Sequence, residues 1–540
     1  MGMKSLCKGE MLCRGFYLEF MKRYFSISYT SDIHGFFSDT DYSTGKQHAA
    51  GLCRCSSLFE RDKNSLIIDG GDTLQGSPFT YWYHKQKMDS QYLPAQILNA
   101  AGYHFITLGN HDFNYGKAVI EQFVDQLDAV CLCANVDGIR GVKKTAVVTL
   151  GNGLRIGLTG VTSHYISKWE PPENIQGLTI RDAFSTAAES LMELKKADVD
   201  VKICIYHGGF ENDPVTGERL ELSDENQGWR ICRELDYDIL LSGHQHQLIE
   251  EACIAGTYTC QPPDKARGFI RLTAECCTEP DGKETISAHS CFVAAGEKAD
   301  KMLVNILHEK EENASKWLDL PIGYADTLLK AEKPINMASG GSLIANFFNQ
   351  VQLEASGAQI SVTSLSNNIA GFKKKIKCRD ILVNYPFPNT LKTVLVNRKV
   401  LKQALERCAE YFTVLSDGSL TVSETFLKPV EQHFNYDYFS GIEVQMDVRR
   451  PLGQRVTSIR YKGEELEDET ELTLCMNSYR ASGAGGYSFY TGCRVIKELN
   501  KDISELIVDY VTQHDEIKID QTKWLKVIGC LSGKPDEYSC

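Results

Sequence analysis

"ITLGNHDFNYG", residues 106 to 116, opens as an apolar run and then places an asparagine, a histidine and an aspartate at consecutive positions. A strand-like run that ends in polar side chains is the layout of a site built on the carboxyl edge of an α/β sheet. The layout recurs through the first half of the chain. "SDIHG" follows "YFSISYT" and supplies Asp32 and His34, and "GGDTLQGSP" follows "SLIID" and supplies Asp72. "YHGGFE" ends the run "VKICIY" with His207, and "SGHQH" follows "DILL" with His244 and His246. Helix-like stretches such as "AFSTAAESLMELKK" at 183 to 196 lie between several of these runs, the alternation expected of α/β layers.

Strand ends of such a sheet converge on one crevice, so these remote residues are expected to meet. A lone histidine after a strand is most often a satisfied loop residue, and Asn-His-Asp alone could be a turn. Repetition in several clusters, each with a glycine beside the ligand type, outweighs that reading. Two Asp, Asn110 and the histidines, with no Cys, form an oxygen and nitrogen ligand field suited to Mn, Fe, Co, Ni or Zn, and to two ions rather than one.

At 540 residues the chain is long enough for two or three domains. Fifty-eight basic against 71 acidic residues leave a net charge of −13, which argues against a nucleic-acid polymer or an anionic membrane surface as the main partner. An anionic substrate must then be captured by local charge or by metal. The first 30 residues carry charges from Lys8 to Arg23 with no uninterrupted apolar stretch, and no window reaches the roughly 18 apolar residues of a spanning helix. The cysteine count, 19, is odd, and residues such as Cys204 sit inside apolar runs, so a reducing, cytoplasmic setting is expected.

The expected organisation is an N-terminal domain over 24–294, a charged, helix-prone connector and hinge over 295–332, and a C-terminal α/β domain over 333–540. In the last, helices are expected at 342 to 354 and 398 to 412, and strands at 359 to 363, 393 to 397 and 442 to 448. The basic run Lys373, Lys374, Lys375, Lys377 and Arg379 could attract phosphate, but such runs are most often solvated faces.

The order D-x-H, GD-x-x-QGS, GNHD-F, H-G-G and GH-x-H resembles the calcineurin-like dinuclear metallophosphoesterases, specifically their 5′-nucleotidase and 2′,3′-cyclic-nucleotide phosphodiesterase branch. "NYPFPNTLKTVLVNRKVLKQALERCAEYF" and "NSYRASGAGGY" are similar to that branch's nucleotide-binding domain, so the resemblance runs from about residue 25 to 530. It implies an N-terminal α/β β-sandwich and a small-molecule nucleotide substrate. It also implies one metal site of Asp32, His34, Asp72 and His246, and a second of Asn110, His207 and His244 sharing a bridging Asp72. His111 would be the general acid or charge stabiliser, oriented by Asn114. Where many family members have Asp at that position, an amide holds the imidazole without supplying charge. Phe387 and Tyr479 match the positions that sandwich the base, with Asn389 beside the first.

The resemblance also bears on substrate. Relatives that cleave 5′-nucleotides carry an Arg about where this chain has Ala370 and Gly371, and an Asp where it has Gly485. The stretches "NNIAGF" and "NYDYFSGIEVQMDV" look like the 2′,3′-cyclic phosphodiesterase and 3′-nucleotidase subgroup. That activity is expected, with a 5′-nucleotidase or UDP-sugar hydrolase as the enzymatic alternative and a nucleotide-binding protein with an inactive metal site as the alternative of another class.

Overall fold

The fold is that of a computed structural model, which describes residues 22–86, 90–220, 224–278, 284–387, 389–428 and 431–529. The reading of residues 1–21 as free of an apolar leader lies outside them, as does the chain beyond 529. Among the described residues no helix is long and apolar enough to cross a membrane.

Two six-stranded sheets stack in the N-terminal half. The first has the order Glu284–Ala294, Gly268–Thr278, Lys22–Thr30, Ser65–Asp69, Phe105–Ile106, Val130–Cys131. The second runs Ile249–Ile254, Thr257–Gln261, Ile239–Ser242, Val201–His207, Arg155–Thr162, Thr145–Thr149. Their inner faces close one core in which Ile27 and Ile68 meet Leu158, Ile205 and Leu241. The outer faces are covered by helices: Leu93–Ala101 and Lys117–Gln126 on the first sheet, Ala183–Lys196 and Gly228–Glu234 on the second. Strands buried on both sides must be apolar at nearly every position, which is why Arg155–Thr162 is buried from Ile156 onward.

The site depends on strand direction. Lys22–Thr30, Ser65–Asp69, Phe105–Ile106 and Val130–Cys131 are parallel, as are Arg155–Thr162, Val201–His207, Ile239–Ser242 and Thr257–Gln261. The loops bearing Asp32, Asp72, Asn110, His207 and His244 therefore emerge at one edge. "HFITL" keeps only Phe105–Ile106 as strand, because the chain beyond it bends at once into the site.

The long hairpin of Gly268–Thr278 and Glu284–Ala294 was not expected from sequence. The connector contains the helix Lys301–Leu318, capped by Asp300 and packed on the N-terminal helices Pro78–Lys85 and Leu93–Ala101 through Leu303, Leu307, Ala314 and Leu318. By packing it belongs to the N-terminal half. The C-terminal half is a five-stranded mixed sheet, Asp437–Ser440, Ile360–Ser364, Leu472–Asn477, Thr390–Val396, Val495–Asp502, with a four-stranded sheet beside it. The helix Leu343–Ser356 packs on the larger sheet and Arg398–Ala409 against both, over a second core.

Ile205 is fully buried two residues before His207. Ile205→Ala should cost about 2–5 kcal/mol, read as a lower urea midpoint at unchanged slope. A cost under about 1 kcal/mol would mean that the sandwich core does not hold this edge in place.

Candidate active site

The polar clusters do converge. His34 Nε2 lies 2.9 Å from His246 Nε2, and His246 Nε2 lies 3.5 Å from Asp32 Oδ1. Asp72 Oδ2 lies 3.9 Å from His34 Nε2 on one side and 3.2 Å from His207 Nε2 on the other. Asn110 Oδ1 faces His207 Nε2 at 3.1 Å and His244 Nδ1 at 2.8 Å. The ligand atoms of Asp32, His34 and His246, and those of Asp32, Asp72 and His207, form two groups within 4.8 Å of one another.

Backbone geometry puts them there at a cost. Asp32, His34, Asp72, His244 and His246 all have positive φ, between 52° and 76°, and make up half of the ten non-glycine residues that do so among those described. Each such residue stores on the order of 1–3 kcal/mol, and that strain concentrates at functional sites. Ring orientation is set from behind: His34 Nδ1 donates to the Gln75 carbonyl at 2.9 Å and His207 Nδ1 to the Gly70 carbonyl at 2.7 Å. His244 is held through Nε2, 3.0 Å from Glu225 Oε1, so its Nδ1 faces Asn110. A carbonyl or carboxylate behind a histidine is the usual support of a metal ligand.

The site fits divalent cations. Asp72 Oδ2 is buried and accepts no hydrogen bond, although it is ringed by imidazole nitrogens. Burial pushes His34 down to about 4, leaving a neutral imidazole. Burial also lowers His207, but the Asp72 carboxylate outweighs it and carries that ring up to about 10, a proton that a cation beside Asp72 would replace.

His111 lines the same cavity, of about 500 Å³. Its Nδ1 lies 2.9 Å from Asn114 Oδ1, and its backbone N–H donates to Asp72 Oδ1 at 2.7 Å. Tyr479, Asn389, Lys392, Asn500 and Asp502 reach this cavity from the C-terminal half. Phe387 does not: it meets Tyr385 edge-on at 5.6 Å and lines an adjoining space of about 180 Å³. The basic run is structural at its end, where Lys377 and Arg379 pair with Asp319 and Arg379 also donates to the Tyr42 carbonyl.

Four supporting residues escaped sequence reasoning. Asp112, the third polar residue of the opening stretch, accepts from the backbone N–H groups of Asp72, Thr73, Leu74 and Gly109 at 2.8–3.0 Å, tying the Asp72 loop to the Asn110 loop. Its position beside Asn110 and His111 was the available signal. Glu225, Glu170 and Asn500 come from loops or strands with no ligand neighbour, and only tertiary packing brings them here.

A two-layer sandwich with convergent Asp, Asn and His at its carboxyl edge, followed by a second α/β half, defines a metallophosphoesterase of the nucleotidase type. Residues 25–248 match the calcineurin-like phosphoesterase family and residues 321–492 match the 5′-nucleotidase C-terminal domain. A Staphylococcus aureus structure assigned as a 5′-nucleotidase is 31% identical, with a TM-score of 0.69, over 94% of this chain and 100% of that one. The chain belongs to this family of phosphoric ester hydrolases.

Among curated relatives, a 2′,3′-cyclic-nucleotide 2′-phosphodiesterase/3′-nucleotidase of Haemophilus influenzae is 24% identical over 90% of this chain and 84% of its own. The trifunctional nucleotide phosphoesterase YfkN of Bacillus subtilis is 23% identical over 91% of this chain, which spans only 38% of that longer protein.

Gly109 has no room for a side chain: a Cβ there would lie 2.2 Å from Asp72 Oδ1 and 2.4 Å from the Asp72 backbone nitrogen. Gly109→Ala should therefore reduce bound divalent metal, measured by elemental analysis, while the far-ultraviolet spectrum stays unchanged. Full metal content in that variant would remove Asp72 from the ligand set.

Proposed function

We propose that this chain hydrolyses nucleotide phosphoesters with two divalent ions, acting as a 2′,3′-cyclic-nucleotide 2′-phosphodiesterase with 3′-nucleotidase activity. One ion would be held by Asp32, His34, Asp72 and His246, the other by Asn110, His207 and His244, with Asp72 bridging. Bound there, a pair of cations acidifies water and neutralises phosphoryl charge.

The chain's own groups supply the rest. With its Nδ1 proton engaged by Asn114 Oδ1, a protonated His111 has a second proton, on Nε2, to hand to the leaving oxygen. Trp169 lies over His244, rings 5.6 Å apart and 24° from parallel, and walls the cavity against water. Lys265 adds a cation to the lining, and Tyr479 offers a π-face that suits any base.

The observation that carries the substrate reading is the packing at Gly485. Its φ is +73°, and a Cβ would lie 2.3 Å from Asn435 Oδ1 and 2.4 Å from Arg480 Nη1. Arg480 is itself buried, in a pair with Asp437 at 2.8 Å. No ribose-facing carboxylate fits here. Gly371 is filled likewise, since a Cβ would lie 2.4 Å from the Leu329 carbonyl oxygen. A pose specific for 5′-nucleotides thus lacks two charge-assisted contacts, each worth about 1.5–3 kcal/mol. The names of the Haemophilus influenzae relative and of a Salmonella typhimurium relative, 24% identical over 85% of this chain, support the same reading.

With manganese added, kcat/KM for 2′,3′-cyclic AMP and for 3′-AMP should exceed that for 5′-AMP, with little preference among bases. The reverse order would overturn the subgroup while leaving the hydrolase intact. Asp72→Ala should lose both metals and turnover together, since each ion loses a ligand; two metals per chain in that variant would refute the bridging role.

A further inference from the structure

We propose that Glu170 is a positioning residue for His111, acting through Asn114, so that the carboxylate charge behind the catalytic histidine stands one side chain further back than in a direct His–Asp pair. The inference rests on His111 being the proton donor.

Glu170 is almost fully buried, 5% exposed, at the end of the short helix Ile166–Trp169. Three amides converge on it. Asn114 Nδ2 donates to Oε1 at 2.6 Å, Asn500 Nδ2 to Oε1 at 2.7 Å and Asn174 Nδ2 to Oε2 at 2.8 Å. An ionised carboxylate only accepts, so it sets which end of each amide faces it. Asn114 must turn its Nδ2 toward Glu170, a direction reinforced by the Asn500 carbonyl at 3.0 Å. Its Oδ1 is thereby left for His111 Nδ1 at 2.9 Å. An amide oxygen also only accepts, so His111 carries a proton on Nδ1 in both its neutral and its cationic form, and the second proton of the imidazolium, on Nε2, is the one that passes to the leaving oxygen, which returns the ring to the neutral Nδ1–H tautomer. The chain Glu170, Asn114, His111 thus selects one imidazole tautomer.

The charge has no other outlet. Among the described residues no lysine or arginine pairs with Glu170, and a buried carboxylate without a cation is costly; through Asn114 its hydrogen bonds lead to the His111 ring, which becomes cationic when it carries its second proton. One of the three donors, Asn500, lies on the last strand of the C-terminal sheet and also accepts from Asn110 Nδ2 at 3.3 Å. The relay is therefore completed by the docking of the two halves. A merely structural role, bracing the loop at Asn174, would not depend on what occupies position 114.

The test uses the metal-loaded full chain. Glu170→Gln should lower kcat on 3′-AMP about 10- to 100-fold, the usual span for a supporting residue, with KM and metal content unchanged. The loss should be smaller on p-nitrophenyl phosphate, whose leaving group scarcely needs a proton. Adding Asn114→Asp moves the carboxylate next to the ring, and Asn114→Asp/Glu170→Gln should recover most of the lost kcat. Wild-type kcat in Glu170→Gln, equal losses on the two substrates, or a double variant no faster than the single one would each overturn the proposal. Should Glu170→Gln not fold, Asn114→Leu must give the same substrate-dependent loss with metals retained; full kcat there also overturns it. His111→Ala separates the two readings: wild-type kcat in that variant defeats the proton-donor assignment itself, whereas an inactive His111→Ala beside an unaffected Glu170→Gln defeats only the relay.

Discussion

Asp32 and Asp72 are both buried at the edge where the two sheets open, and the molecule is organised around keeping two like charges together there. Burial alone would neutralise such groups, and the effective penalty for a buried ion is several kcal/mol. Burial does push each carboxyl upward, yet His246 beside Asp32 and His207 beside Asp72 hold both well below the usual carboxylate range. The site is thus a negative centre compensated by imidazoles, an arrangement that divalent cations complete by taking over the charge compensation. Asp69 and Asp112 differ in kind. They are buried one layer further back and pushed up to about 7 and about 6, and they bond to backbone and hydroxyl groups rather than to histidines. They brace the loops instead of facing the cavity.

Holding those charges in register consumes backbone freedom. Five of the residues proposed as ligands sit in left-handed backbone, where a β-carbon is crowded, and only surrounding structure keeps them there. That surrounding structure is glycine-rich for a steric reason. A Cβ on Gly243 would fall 2.2 Å from Ser31 Oγ and 2.9 Å from Asp32 Oδ2, as one on Gly109 would collide with Asp72. The glycine that accompanies the ligand type in the sequence is the space into which a neighbouring ligand fits.

This explains what could be read from the sequence. The strands, the helix at Ala183–Lys196 and the convergence of Asp32, His34, Asp72, Asn110, His111, His207, His244 and His246 follow from periodicity and from polar residues at strand ends, both local signals. The expected helices at 342–354 and 398–412 appear as Leu343–Ser356 and Arg398–Ala409 for the same reason. Glu170, Glu225 and Asn500 lack any local signal, because they lie on segments of other register and matter only through what packs against them. Asp112 was visible, but its neighbours accounted for the motif and three of its four backbone contacts depend on a loop about 40 positions away. Asn114 itself carries no charge, but the Glu170 carboxyl group stands directly behind its amide, a contact that position 114 alone does not reveal.

The two rings expected to hold the base raise a different issue, because they line different spaces. Tyr479 faces the cavity lined by His34, Asp72 and His111 and Phe387 the smaller space beside it, and the wall between them is made from Gly76, Lys265 and Asp502, which line both. Asp502 ends the strand that also carries Asn500, and the helix after it is tied to the N-terminal half through Glu505 to Gln75 and Asp509 to Tyr81, each at 2.6 Å. Tyr479 shares its cavity with Asp72 and His111, whereas Phe387 lies beyond the wall. Asp502 and Asn500 lie on one strand, so the wall between the rings and the Asn500 contact to Glu170 belong to one segment. The hydrogen bonds that join the halves hold that segment, and with it both the wall between the two rings and the Asn500 contact to Glu170.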